Sequence, residues 1–326
     1  MNRPPPWDVA IVGAGLAGLS AAIYLGRALR RTLMIDDHRS LARWEPLVQN
    51  YLGFPDGVEG NELLARGRLQ AERHGVAFVS DTIDDALEHE GGFILMGRSG
   101  AYHSTRVLLA TGLYHLPPDI PGVDECLGRS MFFCKDCDAY RVRGKRIAII
   151  GHNNEAIEYA LAMVLYSPCV MVASNGKTPI WDEEHAQWIK EYGIPVYLQR
   201  VAQVDHADGK VASLEFADGI QFAVDSVFTT RGDIYHNNLA RRLGAAVDAE
   251  GQVLVDEHCR TTVPGLYAAG CITAANCQMI IAAGQGATAA QAISRHLFEG
   301  SLQNHSLRGF RENQLQTQKT TPEVLH

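Results

Sequence analysis

The sequence predicts an α/β protein with two Rossmann-like (three-layer ββα) nucleotide-binding domains, the second inserted in the first. A βαβ pattern opens the chain, with an apolar strand from Val9, a glycine loop, a helix over Leu19–Ala28 and a strand over Thr32–Ile35. A second such pattern begins with the strand Arg146–Ile150. The length of 326 residues is about twice that of one ordinary domain, which leaves room for two hydrophobic cores.

The other predicted elements are apolar runs bounded by turn residues. They are a strand at 107–112, a turn at Gly151–Asn154, a helix at Glu155–Leu165, a strand at Val170–Ala173, an antiparallel ribbon at 211–230, a strand at Gly265–Ala269 and a helix at Met279–Leu297. The last two elements return to the first sheet if the second domain is an insertion. We therefore predict a discontinuous first domain of residues 1–115 and 233–300, and an inserted domain of residues 116–232. Residues 301–326 are polar and poor in aliphatic side chains, so we expect a tail with little intrinsic order.

Composition and charge exclude several classes of function. Apolar residues make up 46% and charged residues 20% of the chain, as in ordinary globular proteins. The net charge of -8 and the pI near 5.9 disfavour nucleic acids and anionic membranes as partners. The first seven residues lack the charged-then-apolar pattern of a signal peptide, and no apolar run approaches the roughly 18 residues that span a bilayer. We expect a cytoplasmic protein.

The seven cysteines are an odd number in a chain with no export signal. This disfavours a framework of structural disulfides. The simpler expectation is one functional cysteine pair.

The first glycine loop predicts a dinucleotide site. Gly13 provides the tight turn, Gly15 lets the backbone approach a pyrophosphate, and Gly18 lets the helix pack on the strand. The N-terminus of the helix then presents free N–H groups and a positive dipole to the anion. Asp36, at the end of the next strand, is placed to bind a ribose hydroxyl, and an acid there favours FAD or NAD over a 2′-phosphate. The alternative is a plain strand–helix turn.

A second motif predicts redox chemistry. Cys134-Lys-Asp-Cys137 has the spacing of a redox dithiol and is followed by Asp138. No second Cys-x-x-Cys or His pair follows, so a zinc site is not expected. Lys135 and the basic run Arg141–Arg146 are placed to favour a thiolate; the alternative is a solvated turn.

Together these motifs resemble the low-molecular-weight thioredoxin reductase family over nearly the whole chain. The marks that carry the resemblance come in the family's order. They are the loop Gly13–Gly18, the segment Asn50-Tyr-Leu-Gly-Phe-Pro55, Ala110-Thr111-Gly112, the dithiol with Asp138, the strand Val263-Pro-Gly-Leu-Tyr-Ala-Ala-Gly270, and Gln278 before the last helix.

The resemblance implies an FAD-dependent disulfide oxidoreductase that forms a homodimer. It implies that Cys137 faces the flavin, that Cys134 meets the partner's sulfur, and that Asp138 gives or takes a proton. Asn50 and Gln278 would contact the isoalloxazine. Thr111, Gly112, Gly270 and Cys271 belong to the matching FAD-binding segments.

The second glycine loop departs from the family's NADPH site. The family has Gly-x-Gly-x-x-Ala, whereas this chain reads Gly151-His-Asn153-Asn-Glu-Ala156, with a side chain where the second glycine belongs. The basic clamp for the 2′-phosphate is replaced by Ala173-Ser-Asn-Gly176, and Lys177 is the nearest cation. Charge-assisted bonds to phosphate are worth about 1.5–3 kcal/mol each, so losing two weakens NADPH binding at least about a hundredfold. NADPH is therefore not expected as the electron carrier.

A third departure lies in the FAD-binding part. The family's Ala-Ala-Gly-Asp reads Ala268-Ala-Gly-Cys271 here, and Cys277 stands where an Arg precedes the Gln. We expect Cys271 and Cys277 to be two small buried residues; the alternative is a second redox pair.

Among atypical relatives of this family, the sequence looks most like the diflavin-linked disulfide oxidoreductases, which hold a second FAD in place of NADPH. The partner would be a thioredoxin-like protein or another dithiol or disulfide. The alternatives are a ferredoxin-dependent thioredoxin reductase, an oxidase of a small-molecule dithiol, and a non-catalytic flavin-holding protein. In the tail, Phe310, His305 and His326 would fold over a flavin of the partner subunit if the tail is ordered.

Overall fold

The computed structural model describes residues 5–230 and 232–320. The strands are β1 Trp7–Val12, β2 Thr32–Asp36, β3 Ala77–Ser80, β4 Ile83–His89, β5 Gly92–Gly97, β6 Ala101–Leu109, β7 Leu113–His115, β8 Met131–Phe132, β9 Ile147–Ile150, β10 Val170–Ala173, β11 Val196–Tyr197, β12 Val201–Ala207, β13 Lys210–Phe216, β14 Gln221–Ala223, β15 Ser226–Thr229, β16 Asp233–Tyr235 and β17 Leu266–Ala268. The α-helices are α1 Leu16–Arg27, α2 Gly60–Glu72, α3 Lys135–Asp138, α4 Asn154–Met163, α5 Glu183–Glu191, α6 Asn238–Arg242, α7 Met279–Gln303 and α8 Ser306–Thr320. Short 3₁₀ helices lie at Leu41–Trp44, Asp124–Cys126 and Ala139–Val142.

The chain divides into two compact units. The first unit comprises the described residues of Met1–Ser40, Leu64–Gly112 and His236–His326, and the second comprises Leu41–Leu63 and Leu113–Tyr235. This differs from the sequence prediction, which kept residues 1–115 together.

Packing explains why Leu41–Leu63 belongs to the second unit. Gly128 packs closely against it, since a Cβ on Gly128 would lie 2.8 Å from the Trp44 carbonyl oxygen. Val48 and Val58 pair across the segment and are buried. Glu45, which directly follows the 3₁₀ helix, interacts electrostatically with Asp138 of the same unit.

A seven-stranded sheet forms the centre of the first unit. Its order is β3-β2-β1-β6-β5-β4, and β17 pairs with the second half of β6. Strands β3, β2, β1, β6 and β17 are parallel, whereas β4, β5 and the first half of β6 form an antiparallel meander. The pairing of Leu266 with Val107 confirms that the chain returns to the first sheet after the insertion.

Both faces of this sheet are buried, as expected of parallel strands covered on two sides. Val9 and Ile11 of β1 pack into one core cluster with residues of α1 and α7, while Ala10 and Val12 pack into a second cluster on the other face. Helices α1 and α7 approach each other closely, because a Cβ on Gly286 of α7 would overlap the backbone of Ala17.

The second unit has its own parallel sheet, with the order β11-β10-β9-β15-β8. Ile147 and Ile149 face a cluster that includes α4, and Ala148 and Ile150 face the opposite cluster. The unit also contains the antiparallel sheet β12-β13-β14 and the pair β16-β7. The fold class predicted from the sequence, α/β with Rossmann-like domains, is confirmed by this architecture and by the structural relatives given below.

The ribbon predicted at 211–230 is correct only in its first part. Strands β13 and β14 are antiparallel, with Leu214 opposite Phe222. Strand β15 instead joins the parallel sheet beside β9. All four residues of β15 are buried, and a central strand of a covered sheet requires this.

The prediction of a tail with little order is wrong for the described part of residues 301–326. Helix α7 extends to Gln303, a turn with His305 at φ 58° follows, and α8 covers Ser306–Thr320. Arg, Glu, Gln and Leu are good helix formers, so local propensity favours a helix here despite the polar composition. Phe310 is 59% exposed within the chain. His326 lies outside the described residues.

No helix in residues 5–230 and 232–320 is long and apolar enough to cross a membrane. In the same residues, no group of three or more His, Cys, Asp or Glu side chains is arranged to hold a metal ion.

Candidate functional site

The glycine loop of the first unit joins β1 to α1 with two close backbone contacts. Gly13 has φ 104°, and a Cβ there would overlap the Ala110 carbonyl. A Cβ on Gly18 would overlap the Gly13 carbonyl. These two positions require glycine for packing within the chain.

Gly15, unlike Gly13 and Gly18, is not required for packing within the chain. Among the described residues, a Cβ added to Gly15 would have one atom within 4 Å, Ser40 Oγ at 3.4 Å. Packing therefore leaves the space above Gly15 open. Gly15 is also the N-cap of α1, so no side chain caps the helix, and its first turn carries no acidic residue. Uncapped N–H groups beside an open backbone suit a pyrophosphate.

Asp36, at the end of β2, is buried and contacts the glycine loop directly. Its Oδ1 accepts hydrogen bonds from the Ala14 N–H at 3.3 Å and the His38 N–H at 3.2 Å. Its Oδ2 lies 3.0 Å from Nδ1 of His38. A carboxylate offers about four acceptor sites, so these contacts leave one on Oδ2 for a ribose hydroxyl. His38 is a residue that sequence reasoning missed.

Strands β1, β6 and β17 end at the same edge of the sheet. Ala110 N–H donates to Val12 O at 2.8 Å, and Ala269 N–H donates to Leu109 O at 3.0 Å. The predicted residues Thr111, Gly112, Gly270 and Cys271 follow directly, so the structure brings them to the edge that carries the glycine loop. Ligands of doubly wound sheets bind outside this carboxyl edge.

The turns at this edge are held by residues that the sequence analysis missed. Thr111 Oγ1 donates to His236 O at 2.8 Å, so its hydroxyl is engaged within the protein. Gly270 N–H donates to Gln285 Oε1 at 2.8 Å, and Thr273 Oγ1 donates to Gly270 O at 2.9 Å. Gly270 has φ 84° and packs on α1, since its Cβ would lie 2.9 Å from Ala17 Cβ.

Gln278 is the N-cap residue of α7, and it is half-buried. Directly before it, Cys277 forms a disulfide with Cys271, with the two Cα atoms 4.8 Å apart. Both cysteines are half-buried. The expectation that Cys271 and Cys277 are two small buried residues is therefore wrong. The six-residue spacing was the available signal, but spacing alone does not show that the intervening loop folds back.

The second unit carries the other disulfide, between Cys134 and Cys137. Cys134 is the N-cap of the single turn α3, and its Sγ accepts the Cys137 N–H at 3.2 Å. Both cysteines are half-buried, so a partner sulfur has access to them. A hydrogen bond to sulfur favours the anionic form, which stabilises a Cys134 thiolate once the disulfide opens.

Asp138 lies one residue beyond the disulfide and is 4% exposed. Arg141 Nη1 donates to its Oδ1 at 2.7 Å. Burial raises the pKa of Asp138, although the Arg141 guanidinium opposes this shift. Burial thus makes the ionised form of this carboxyl less favourable than that of an exposed acid, and Arg141 offsets part of the effect.

Glu45 is a second carboxyl at this place, and sequence reasoning missed it. Burial, and next the negative charge of Asp138, raise the pKa of Glu45 to about 7, while Arg141 and His115 oppose the shift. His115 stacks on Phe133 with ring centroids 4.8 Å apart. Glu45 can therefore bind or release a proton near neutral pH, next to a carboxyl whose pKa is also raised.

Most of the cations near the dithiol have anionic partners of their own. These ion pairs are Lys135 with Asp136 at 3.0 Å, Arg141 with Asp138 at 2.7 Å and Arg146 with Asp225 at 2.6 Å. Arg143 lies over the ring of Tyr140, 3.7 Å from its centroid. Two of the four cations in the basic run predicted at Arg141–Arg146 are therefore ion-paired, and Arg141 acts on the acids of the site.

The second glycine loop joins β9 to α4, and it is closed by a side chain. Asn153 is the N-cap of α4, and its Oδ1 accepts the Ala156 N–H at 3.3 Å and the Thr230 hydroxyl at 3.4 Å. A Cβ on Gly151 would lie 2.6 Å from Ala156 Cβ, so this glycine is required for packing. The amide of Asn153 thus occupies the position that Gly15 leaves open in the first loop.

The turn after β10 corresponds to the family's phosphate clamp. Ser174 is buried, and its hydroxyl donates to Leu198 O at 3.0 Å. Asn175 has φ 53° and accepts the Val201 N–H at 2.9 Å through its side chain. Lys177 is exposed. The basic residues that bind the 2′-phosphate in the family are therefore replaced by Ser174 and Asn175, which are neutral and hydrogen-bonded within the protein.

Asn50, the remaining predicted site residue, is exposed and lies in the second unit with Cys134, Cys137 and Asp138. Its segment is fixed by the bridge between Val48 and Val58. The other predicted cofactor residues, from Gly13 to Gln278, lie in the first unit.

A dinucleotide loop in one Rossmann-like unit and a half-buried disulfide beside paired acids in the other define a nucleotide-dependent dithiol oxidoreductase. Comparison with protein families agrees. The family described as pyridine nucleotide-disulphide oxidoreductase matches residues 7–293. The chain belongs to this family and is a flavin-dependent disulfide oxidoreductase of thioredoxin reductase type. FAD is the cofactor that the family implies, and the open first loop fits it.

Individual relatives cover nearly the whole chain. The thioredoxin reductase of Treponema pallidum is 31% identical over 307 residues, which are 91% of this chain and 99% of that protein. The crystal structure of HlmI has a TM-score of 0.88 at 27% identity and covers 96% of this chain and 99% of its own. The atypical thioredoxin reductase TRi from Desulfovibrio vulgaris Hildenborough has a TM-score of 0.52 at 31% identity, covering 91% and 99%.

Proposed function

We propose that this protein exchanges two electrons between FAD and the Cys134–Cys137 pair, with a thioredoxin-like protein or another dithiol as partner and without NADPH. The observation that carries the proposal is the half-buried disulfide beside two carboxyl groups of raised pKa, Asp138 and Glu45. The relative named thioredoxin reductase supports a thioredoxin-like partner.

The acids suit proton transfer to and from the sulfurs. Each two-electron cycle converts a disulfide into two thiols, so protons must reach the sulfurs or leave them. In this proposal Asp138 exchanges a proton with the adjacent Cys137, and Glu45, whose pKa the charge of Asp138 raises, restores the protonation state of Asp138. Because the pKa of Glu45 is about 7, it is partly protonated near neutral pH and serves either direction of transfer.

The residues that would hold FAD in the first unit are Gly13, Gly15 and Gly18 at the pyrophosphate and Asp36 at the ribose, with Thr111, Gly112, Gly270, Cys271 and Gln278 along the carboxyl edge. Asn50 would contribute from the second unit. When bound, the flavin supplies the two-electron acceptor or donor for the dithiol. Cys137 would face it and Cys134 would meet the partner.

NADPH is an unsuitable electron carrier for this chain because both parts of its site are altered. The Asn153 side chain caps α4 and stands where a pyrophosphate would approach the backbone. The place of the phosphate clamp carries Ser174 and Asn175, whose side chains are bonded within the protein. Each lost charge-assisted bond lowers phosphate affinity by about tenfold or more.

The same cap disfavours a second dinucleotide seated at α4, so the diflavin alternative requires a second FAD held in another way. FAD released per chain on denaturation separates the alternatives: a value near two supports a second flavin, and a value near one supports a single-flavin enzyme. A ferredoxin partner needs an exposed basic patch, and the ion pairs of Arg141 and Arg146 reduce the charge available for one in this run. The homodimer remains a prediction for size-exclusion chromatography with light scattering.

The test uses the purified full-length chain with FAD bound, under anaerobic conditions. We expect that excess NADPH leaves the flavin absorbance unchanged over minutes, whereas dithiothreitol or reduced thioredoxin bleaches it. Cys134→Ser should abolish bleaching by thioredoxin, and Cys169→Ser, at an exposed free cysteine, should retain it.

Rapid bleaching of the flavin by micromolar NADPH would refute the proposal that the protein works without NADPH. Equal bleaching by thioredoxin in the Cys134→Ser variant would refute the role of the dithiol. If a small dithiol reduces the flavin, thioredoxin does not, and oxygen reoxidises the flavin to give peroxide, the protein is a dithiol oxidase.

A further inference from the structure

The second disulfide, Cys271–Cys277, has features that a merely structural cross-link does not need. Both cysteines are half-buried, in contrast to the free cysteines Cys126 and Cys259, which are buried. A thiol reagent can therefore approach the pair within the folded first unit, and accessibility is the first requirement for thiol–disulfide exchange.

The pair lies at the carboxyl edge of the first sheet, where the cofactor loop also lies. Cys271 follows Gly270, whose backbone packs on Ala17 in the first turn of α1. Ala269, which precedes Gly270, donates its N–H to Leu109 O at the end of β6. This is the edge at which parallel α/β sheets bind their ligands.

The surrounding chain is fixed without the disulfide. Gly270 N–H is bonded to Gln285 Oε1 at 2.8 Å, and the buried Thr273 is bonded to both Gly270 O and Gln285 Oε1. These contacts anchor the loop between the cysteines to α7. Since the loop is already closed by hydrogen bonds, opening the disulfide leaves its two sulfurs close together and ready to reform the bond.

The disulfide lies close to the N-terminus of α7 along the chain. Cys277 lies two residues before the start of α7, a 25-residue helix with no acidic residue in its first turn. The positive end of a helix dipole lowers the pKa of a nearby thiol and makes it the better leaving group. Because Cys271 is bonded to Cys277, the helix favours a thiolate at either sulfur once the bond opens.

We propose that Cys271–Cys277 is a second redox-active disulfide, which oxidises a dithiol independently of Cys134–Cys137. One thiolate of the dithiol attacks Cys271 Sγ, forms a mixed disulfide and releases Cys277 as a thiolate. The second thiolate of the substrate then attacks the substrate's own sulfur in the mixed disulfide and releases Cys271. The substrate leaves as a disulfide with two electrons removed, its two protons pass to the cysteine thiolates or to water, and the pair is left as a dithiol. This reaction goes beyond the proposed flavin reaction and takes no electrons from it, although Cys271 is also one of the residues assigned to the FAD-binding edge.

The experiment counts thiols in the FAD-loaded, full-length protein. Increments of dithiothreitol are added anaerobically, the reaction is quenched with N-ethylmaleimide in denaturant, and alkylated cysteines are counted by intact mass and located by peptide mapping. We expect a gain of four alkylated thiols per chain in the wild type. The Cys134→Ser/Cys137→Ser variant should gain two, at Cys271 and Cys277.

Two results would overturn the proposal. If the Cys134→Ser/Cys137→Ser variant gains no thiols while folded and gains two after unfolding and reduction, the second disulfide is structural. If Cys271 and Cys277 are already alkylated before reduction, they form no disulfide. Peptide mapping of the wild type gives the same answer if the double variant does not fold, and Cys169→Ser controls for exchange through the exposed thiol.

This readout is separate from the flavin. If the proposed function is wrong, dithiols do not bleach the flavin, or bleaching does not depend on Cys134. If the proposal for the second disulfide is wrong, only the alkylation of Cys271 and Cys277 differs from the expected result.

Discussion

The Glu45→Gln variant tests whether a carboxyl of raised pKa lies beside the dithiol. Glutamine has nearly the size of glutamate and keeps one acceptor oxygen, but it replaces the other oxygen by an NH2 donor and carries no charge. Glu59→Gln is the matched control, because Glu59 is an exposed acid in the same segment of the second unit. Neither residue belongs to the disulfide itself.

The magnitude follows from the pKa of Glu45, which rises from 4.5 to about 7 on folding. Each pKa unit corresponds to about 1.4 kcal/mol of difference between the two protonation states. The ionised carboxylate therefore destabilises the folded protein by about 3 kcal/mol once both states are ionised. Burial of the carboxyl is the larger cause and the charge of Asp138 the next, so both act against the charged form.

The direction with pH follows from proton binding. Below pH 4.5 the carboxyl is protonated in the folded and the unfolded chain, and it has no effect on stability. Between pH 4.5 and about 7 the unfolded chain loses the proton while the folded chain keeps it, so stability falls as pH rises. Above about pH 7 the full loss is present. Glu45→Gln has no ionisable group here and should escape this loss.

The assay is urea unfolding of the FAD-loaded protein at pH 5 and pH 8, followed by tryptophan fluorescence, because Trp44, Trp181 and Trp188 all lie in the second unit. We expect the stability of Glu45→Gln relative to wild type to increase by about 2 kcal/mol from pH 5 to pH 8. Glu59→Gln should show a change below about 0.5 kcal/mol. A stability difference between Glu45→Gln and wild type that is the same at both pH values would show that Glu45 is an ordinary carboxyl and would refute its proposed role in proton transfer.

Three further predictions follow from the glycine loops and the acids. Gly15→Ala should fold with a loss of less than about 1 kcal/mol, because its Cβ has room within the chain, yet it should lose FAD during gel filtration; full FAD retention would contradict the assignment of the open space to a pyrophosphate. Asn153→Ala should lower stability by about 1 kcal/mol, whereas Asn153→Gly should cost only about a few tenths. Of these two variants, only Asn153→Gly should gain affinity for a dinucleotide, measured by calorimetry with NADH. An equal gain in both would mean that affinity depends on losing the hydrogen bond of Asn153 to Ala156, and not on the room left by removing the side chain. In stopped-flow reduction by dithiothreitol, we expect the rate of the wild type to change near pH 7 and that of Glu45→Gln to lose this change; the same pH profile in both proteins would mean that Glu45 does not supply the proton.

Local sequence patterns determined most of the fold. The first βαβ unit, the strand Val170–Ala173 and the strand ending at Gly270 were predicted nearly at their observed positions. Each is an apolar run of strand length, bounded by glycine or polar turns, and such a run specifies its own local geometry. The glycine loop and the Cys-x-x-Cys motif were found for the same reason, since their chemistry depends on spacing within a few residues.

Helix α8 marks the limit of compositional reasoning. Its residues are polar enough to suggest disorder, but their helical propensity and the turn at His305 set their conformation. Strand β15 shows the opposite limit, because the same apolar residues suit a ribbon or a parallel sheet. Only its burial next to β9 decided between the two.

By itself the sequence determined the class of this protein: two nucleotide-type units, a dinucleotide loop and a redox dithiol. The tertiary structure alone placed Glu45 beside Asp138 and closed Cys271 onto Cys277. The physical reason is that pKa shifts and disulfide closure depend on distances between groups in space. A linear pattern fixes those distances only where the residues share one turn of the chain.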